Sequence, residues 1–201
     1  MAENFKNSKT RTNLMRAFAG ESQARNRYTF AASQAKAQQL YVIEKLFKFT
    51  ANQEKEHAEI FYNHLKAAAG ETVDIPNGSY PVDIADDMVK LLEMAQHNEF
   101  EENDPVYPAF AEDAKNEGFH EVYSSFSNIA QIERTHGERF GVFAELLKQG
   151  KLFSDSESTR WYCMNCGYIF EGKSAPKSCP TCHKPQGYFI RLSMTKWGLD
   201  Q

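Results

Sequence analysis

The feature that most limits the fold of this chain of 201 residues is a set of polar residues standing where four apolar stripes should be continuous. Apolar residues recur at spacings of three and four, the pattern of helices that bury one face, over four stretches. The first, 10–37, aligns Leu14, Ala17, Phe18, Ala24, Tyr28, Ala31 and Ala35; the second, 41–69 with Gly70 after it, aligns Ile43, Leu46, Phe47, Thr50, Phe61, Leu65 and Ala68. A loop with Pro76, Asn77-Gly78 and Pro81 leads to the third, expected to begin near Asp83 and to carry Ile84, Met88, Leu91, Leu92 and Ala95 until Pro105 and Pro108 interrupt it. The fourth runs from Phe119 to Lys148 with Phe119, Val122, Tyr123, Phe126, Ile129, Ala130, Phe140, Phe143 and Leu147. Glu21 breaks the first stripe, Glu54 and His57 the second, and Glu133 and His136 the fourth, while Glu99 and Glu102 continue the third.

These interruptions fall at matched depth. Glu21 lies 18 residues before a turn near residue 39 and Glu54 lies 15 after it; Glu99 lies 18 before the Glu117-Gly118 turn and Glu133 lies 16 after Glu117. With about 1.5 Å of rise per helical residue, each hairpin sets its two acids at similar height. The separations Glu21 to Glu54 and Glu99 to Glu133 are 33 and 34 residues, so the chain reads as two copies of one helical hairpin, each supplying a Glu and then a Glu-x-x-His. A third Glu-x-x-His, Glu117 and His120, straddles Gly118 at a turn and belongs to the background.

Glu and His three apart share a helix face and offer an oxygen and a nitrogen together, the arrangement of di-iron carboxylate bundles. Five carboxylates around one buried point repel each other unless cations sit among them, and two divalent or trivalent ions balance that charge. Tyr28, seven residues from Glu21 on the same face, either fills core volume or donates its hydroxyl to a ligand carboxylate, and Tyr107 is open to the same two readings. The register of the third helix leaves Glu101 as the alternative to Glu102.

Composition changes near residue 150, where Gly, Pro and Cys begin to recur every few residues. A linker is expected at 149–160, dividing a domain of residues 1–148 from one of 161–201. All four cysteines lie in the second, as Cys163-x-x-Cys166 and Cys179-x-x-Cys182 with twelve residues between the pairs. Two such knuckles place four thiolates around a tetrahedral metal, zinc or iron. Zinc would hold together a segment too small for a sufficient core, and iron would add a one-electron carrier. Gly167 lets backbone N–H groups approach the sulfurs, and His183 is a rival ligand that four thiolates make unnecessary.

A formal charge of −4 and a pI near 5.9 offer no basic face to nucleic acid. There is no run of about 18 apolar residues, and the stretch from Met1 to Ser8 lacks the apolar core of a signal peptide. A cytoplasmic protein without membrane or nucleic-acid partners is expected. No Gly-x-Gly-x-x-Gly opens a helix after a strand, so reducing power has to come from an external donor.

The segments Gly20-Glu21-Ser22-Gln23-Ala24-Arg25-Asn26-Arg27-Tyr28, Glu54-Lys55-Glu56-His57, Tyr107-Pro108 and Glu133-x-x-His136, followed by Trp161-Tyr162-Cys163-x-x-Cys166-Gly167-Tyr168 and Cys179-Pro180-x-Cys182, together resemble the rubrerythrin family over essentially the whole chain. The resemblance implies a mainly α fold: a ferritin-like four-helix bundle followed by a small rubredoxin-like iron-binding β domain. It implies two carboxylate-bridged non-haem irons in the bundle and one iron held by Cys163, Cys166, Cys179 and Cys182. By the same resemblance Glu54 and Glu133 bridge the irons, His136 and Glu99 bind one, and Glu21 binds the other. Glu102 and His57 are then the pair between which that other iron exchanges as it is oxidised and reduced. The implied activity is a peroxidase that reduces hydrogen peroxide to water in oxidative-stress protection. Its electrons would pass through the four-cysteine iron from a rubredoxin or an NAD(P)H-linked reductase. The resemblance also implies a homodimer in which one subunit's tail serves the other's bundle. A ferroxidase or iron-storage protein is the rival reading, and a zinc-ribbon interaction module on a di-metal bundle a more remote one.

Overall fold

The structure, a computed structural model, describes residues 2–76 and 78–195. Met1, Asn77 of the Asn77-Gly78 turn and residues 196–201, the end of the expected second domain, lie outside the described residues. Helices α1 (Ala2–Lys6), α2 (Lys9–Ala37), α3 (Tyr41–His64), α4 (Met88–Glu101), α5 (Tyr107–Asn116) and α6 (His120–Lys148) are followed by strands β1 (Ser154–Cys163), β2 (Ile169–Ser174) and β3 (Phe189–Arg191). No helix among the described residues is long and apolar enough to cross a membrane.

The doubled hairpin is visible in its corners. Between α2 and α3, Gln39 is left-handed (φ 59°) and the Leu40 N–H reaches back to the Ala35 carbonyl at 2.9 Å. Between α5 and α6, Gly118 is left-handed (φ 83°) and the Phe119 N–H reaches the Ala114 carbonyl at 2.8 Å. Leu40 (φ −90°, ψ 62°) and Phe119 (φ −92°, ψ 69°) share the same backbone angles. Both corners satisfy carbonyls left open at a helix end; Gly118 does so without a Cβ penalty and Gln39 bears one. The hairpins also tie together at their ends, where Glu117 accepts the Lys9 and Thr10 N–H groups at the start of α2, at 2.9 Å each.

The third helix departs from expectation. It begins at Met88, because Asp83 pairs instead with Arg27 and accepts the Asn98 amide at 2.7 Å, while Asp87 caps the helix by accepting the Val89 N–H at 2.9 Å. Ile84, expected in the core, is 83% exposed, and Tyr123 of α6 also faces solvent. After α4, Glu102–Val106 forms a wide turn in which Asp104 is extended (φ −159°, ψ 114°), and α5 resumes with Pro108 in its first turn, where its missing N–H costs nothing. Residues 69–76 and 78–87 form a strap laid along α2 from one hairpin to the other. It is held by the Gln34 amide on the Ala85 carbonyl (2.7 Å) and the Tyr80 hydroxyl on the Arg16 carbonyl (3.0 Å).

Two apolar layers fill the bundle. Tyr28, Phe47 and Phe140 centre one, with ring centroids 5.1 to 5.8 Å apart, and Phe61, Tyr107, Phe110 and Phe126 centre the other. Each buried ring contributes about 1.5–3 kcal/mol. α4 and α6 close on each other because Gly137 has no side chain: a Cβ there would stand 2.6 Å from the Phe100 ring.

In the tail, β1 lies between β2 and β3 and is antiparallel to both, with Trp161 opposite Phe170 on one side and Arg191 on the other. β1 starts at Ser154, inside the stretch expected as linker, because Arg191 holds Asp155 (3.1 Å) and the Lys151 and Ser154 carbonyls (2.7 Å each). The core here is small: Trp161, Cys163, Ala175, Cys179 and Phe189. The tail rests on the α2–α3 end of the bundle, where Tyr188 stacks on Tyr41 at 4.2 Å and Lys45 donates to the Met164 carbonyl at 2.9 Å.

Candidate metal centres

Between the two apolar layers lies one polar one. Ala17 and Ala24 flank Glu21, Ala51 and Phe61 flank Glu54 and His57, Ala95 precedes Glu99, and Ala130 and Phe140 flank Glu133 and His136. Glu21, Glu54, Glu99, Glu133 and both imidazoles are buried. Their inward atoms form two overlapping sets, Glu21, Glu54, His57 and Glu133, and Glu54, Glu99, Glu133 and His136, each within 4.8 Å of one another. Glu54 and Glu133 belong to both. His57 Nδ1 lies 3.0 Å from Glu54 Oε2 and 2.8 Å from Glu133 Oε1; His136 Nδ1 lies 3.0 Å from Glu54 Oε1 and 2.8 Å from Glu133 Oε2. Glu21 closes the His57 side (3.8 Å) and Glu99 the His136 side (3.4 Å).

Electrostatics explain why protons alone leave this layer unsatisfied. Loss of water pushes Glu21 up to about 7 and, together with the charges of Glu54, Glu21 and Glu99, holds Glu133 well above the usual carboxylate range. Burial would raise Glu54 as well, but the His136 and His57 imidazoles bring it down to about 2. Burial would lower the two histidines; the carboxylates around them outweigh it, raising His57 and pushing His136 up to about 12. Glu21 Oε2, Glu54 Oε1, Glu99 Oε2, both Glu133 oxygens and His136 Nδ1 are buried without a hydrogen-bond partner. Inward-facing, orphaned oxygen and nitrogen atoms in two sets of four are what a pair of cations would satisfy, and an oxygen-rich set with one imidazole per ion fits iron. The bundle therefore fits two irons.

Around the ligands stand groups that hold them. Tyr28 donates to Glu99 Oε1 and Tyr107 donates to Glu21 Oε1, so each hairpin's tyrosine supports the other hairpin's terminal glutamate. Burial and the neighbouring acids (Glu99 at Tyr28, Glu102 and Glu21 at Tyr107) raise both phenols well above their usual value, keeping the donors protonated. Gln53, which periodicity does not single out, lies with its Oε1 3.1 Å from His136 Nε2; accepting the Nε2–H keeps Nδ1 on the inward side, where loss of its proton would free it for a cation. The signal that could have found it is chemical: a ligand imidazole needs an acceptor for its outer nitrogen. Arg139, also missed, stacks over Phe49 at 5.3 Å and carries an orphaned buried Nη1.

Glu102 is the exception among the expected ligands. It is half-buried and stands outside both four-residue sets, with Oε1 3.7 Å from where a Gly20 Cβ would be, because the wide turn that begins at Glu102 carries it to the side of the bundle. Loss of water and the charges of Glu21, Glu99 and Glu133 raise its carboxyl well above the usual range, so it remains in the field of the cluster. Glu101, its alternative, is exposed.

The four cysteines meet as expected. All four Sγ atoms lie within 4.8 Å of one another, with Cys163 to Cys182 at 3.8 Å and Cys166 to Cys179 at 3.6 Å. A tetrahedron with metal–sulfur bonds of about 2.3 Å has edges of about 3.8 Å, whereas a disulfide needs about 2.0 Å. The knuckles match: Gly167 N–H reaches the Cys163 carbonyl at 2.8 Å with φ 81°, and His183 N–H reaches the Cys179 carbonyl at 2.9 Å with φ 58°. His183 is thus a left-handed corner residue, exposed and outside the ligand set. The Lys184 N–H lowers Cys182 to about 6, a backbone-to-sulfur contact of the kind that tunes an iron–thiolate potential. One iron fits here.

A family model described as Rubrerythrin matches residues 12–143, and one described as Rubrerythrin, rubredoxin-like domain matches residues 161–190. The chain is 44% identical to the rubrerythrin of Clostridium perfringens over 93% of its own length and 96% of that protein's. It is 40% identical to the rubrerythrin of Nitratidesulfovibrio vulgaris over 96% and 98%. Among solved structures, all-ferrous nigerythrin superposes with a TM-score of 0.61 at 27% identity, covering 92% of this chain and 90% of that one. The Desulfovibrio desulfuricans bacterioferritin, at 20% identity and a TM-score of 0.64 over 75% and 85%, shares the ferritin-like fold.

Proposed function

The chain belongs to the rubrerythrin family of di-iron oxidoreductases that act in oxidative stress, and from that premise we propose that it is a peroxidase reducing hydrogen peroxide to water. The observation that supports this most is the pairing, in one chain, of a two-metal site with matched halves and a four-thiolate site suited to one-electron transfer. Storage of iron needs no such relay, which is why a ferroxidase takes second place. The bound ferrous pair supplies the two electrons, one from each ion, that cleave the O–O bond.

The chain's own residues do the rest. Glu54 and Glu133 each turn one oxygen to either half and so would hold both ions. Tyr28 and Tyr107 hold Glu99 and Glu21 in place, and the apolar layers on either side keep bulk water from the layer. His57 faces the cluster while Glu102 stands beside Gly20 outside it, and these two would be the alternative holders of the iron on the Glu21 side in its two oxidation states. Residues 1–148 act as the catalytic unit and 161–201 as the relay. Electrons enter from a rubredoxin or an NAD(P)H-linked reductase in the cytoplasm. In the homodimer the tail of one subunit serves the bundle of the other. Mixing chains inactivated at Cys163 with chains inactivated at Glu54 tests this last point, since heterodimers recover activity only if service crosses subunits.

The decisive measurement is iron and zinc per chain in protein made anaerobically with iron, with visible spectra before and after one addition of hydrogen peroxide. Three irons and a ferric–thiolate band that appears with peroxide and fades with reductant are expected. Two irons with one zinc and no such band would move the reading to a ferroxidase.

A further inference from the structure

The strap, α2, the wide turn and the start of α5 border an open groove of about 460 Å³ that Glu102 helps to line. Over Gly20 two of its boundaries come together: Glu102 Oε1 and the edge of the Tyr80 ring each lie 3.7 Å from the point where a Gly20 Cβ would stand. Ala17, Val106 and Phe110 give one part of the groove an apolar wall and Arg16, Gln23 and Arg27 give another a polar one, while Tyr80, 37% exposed, is tied to the Arg16 carbonyl at 3.0 Å. Hydrogen peroxide takes the room of about two waters at about 30 Å³ each, several times less than the groove provides. An apolar patch beside a few polar groups is the lining of a site for a substituted ligand.

We propose that the groove admits organic hydroperoxides, with the alkyl or aryl group against Ala17, Val106 and Phe110, and that the Tyr80 ring limits how large that group can be. This rests on the peroxidase reading above and adds a substrate class to it. The balance is that of hydrogen peroxide: ROOH takes two electrons from the ferrous pair and two protons from solvent, the O–O bond breaks, and ROH and water leave. Tyr80 lies outside both four-residue sets of the bundle and the four-cysteine set, so it is a specificity-determining residue and not a catalytic one.

The test compares kcat/KM for cumene hydroperoxide and for hydrogen peroxide in the iron-loaded wild type and in Tyr80→Ala, Tyr80→Phe and Tyr80→Trp. Titration of each protein with cumyl alcohol, the product, gives a second readout that needs no turnover. The cumene-to-hydrogen peroxide ratio should rise about tenfold in Tyr80→Ala, stay near wild type in Tyr80→Phe and fall about tenfold in Tyr80→Trp, the scale on which pocket size discriminates. Alcohol binding should follow the same order. An equal ratio and equal alcohol binding in all four would overturn the proposal, as would a Tyr80→Phe that behaves like Tyr80→Ala, which would assign the effect to the strap's tether and not to the ring. Failure of the wild type to turn over hydrogen peroxide would instead sink the peroxidase reading, with alcohol binding still deciding the groove.

Discussion

The bundle and the tail each gather metal ligands, but the metal stands in a different relation to each fold. In the bundle, two layers of aromatic and aliphatic side chains are complete without the polar layer between them. In the tail, two of the five buried core residues, Cys163 and Cys179, are themselves ligands, and Trp161, Ala175 and Phe189 are the remainder. The helices build a house for the irons, whereas the tail's iron is part of its own frame. Burial of ligands therefore says little about what a metal does for stability; the apolar area that remains without it says more.

This contrast can be broken, and the largest effect belongs to the tail. Replacing Cys163 and Cys179 with Ser should abolish hydrogen-exchange protection across β1, β2 and β3, since a metal in such a site carries about 10 kcal/mol of folding energy, while α2, α3 and α6 stay protected. Persistent protection in the strands would defeat the comparison. Glu54→Ala should empty both bundle positions at once, because Glu54 faces both histidines, leaving the tail iron and the helical circular dichroism unchanged. Gln53→Leu should weaken metal binding at the bundle by about 10–100-fold with helicity intact, by releasing the outer nitrogen of His136. Gly137→Ala should cost about 1–3 kcal/mol in a denaturant titration through its clash with Phe100. The smallest effect is that of pH. Glu21, raised to about 7 by burial, must lose its proton to bind a cation, as must Glu133 and the two histidines, which are raised further, so bundle metal affinity should rise with pH through 7 and beyond, with the Glu21 step, up to about tenfold per unit, confined to the range below 7.

What the sequence discloses and what it hides divide along local and distant causes. The 33- and 34-residue separations and the two Cys-x-x-Cys pairs are intrachain spacings, and helix rise and knuckle geometry turn them directly into Glu21, Glu54, His57, Glu99, Glu133, His136 and the four sulfurs brought together. Asp83 looks like the start of a helix until Arg27 and Asn98 claim it from elsewhere in the chain. Ser154 reads as linker until Arg191, 37 residues on, draws it into β1. Gln53 acquires meaning only from an imidazole on α6. Glu102 sits where the periodicity of α4 ends, and the wide turn at Pro105, which the proline announces without giving its shape, carries it to the groove.

The strap between the two hairpins has a mechanical corollary. Each metal position draws ligands from both hairpins, and the covalent connection between those hairpins is long and lies outside the layer. Ions seated there would act as bolts through a joint that the apolar layers, the two tyrosine–glutamate bonds and the Glu117 contacts already hold closed, so iron occupancy should add stiffness across the hairpins while leaving the helices intact.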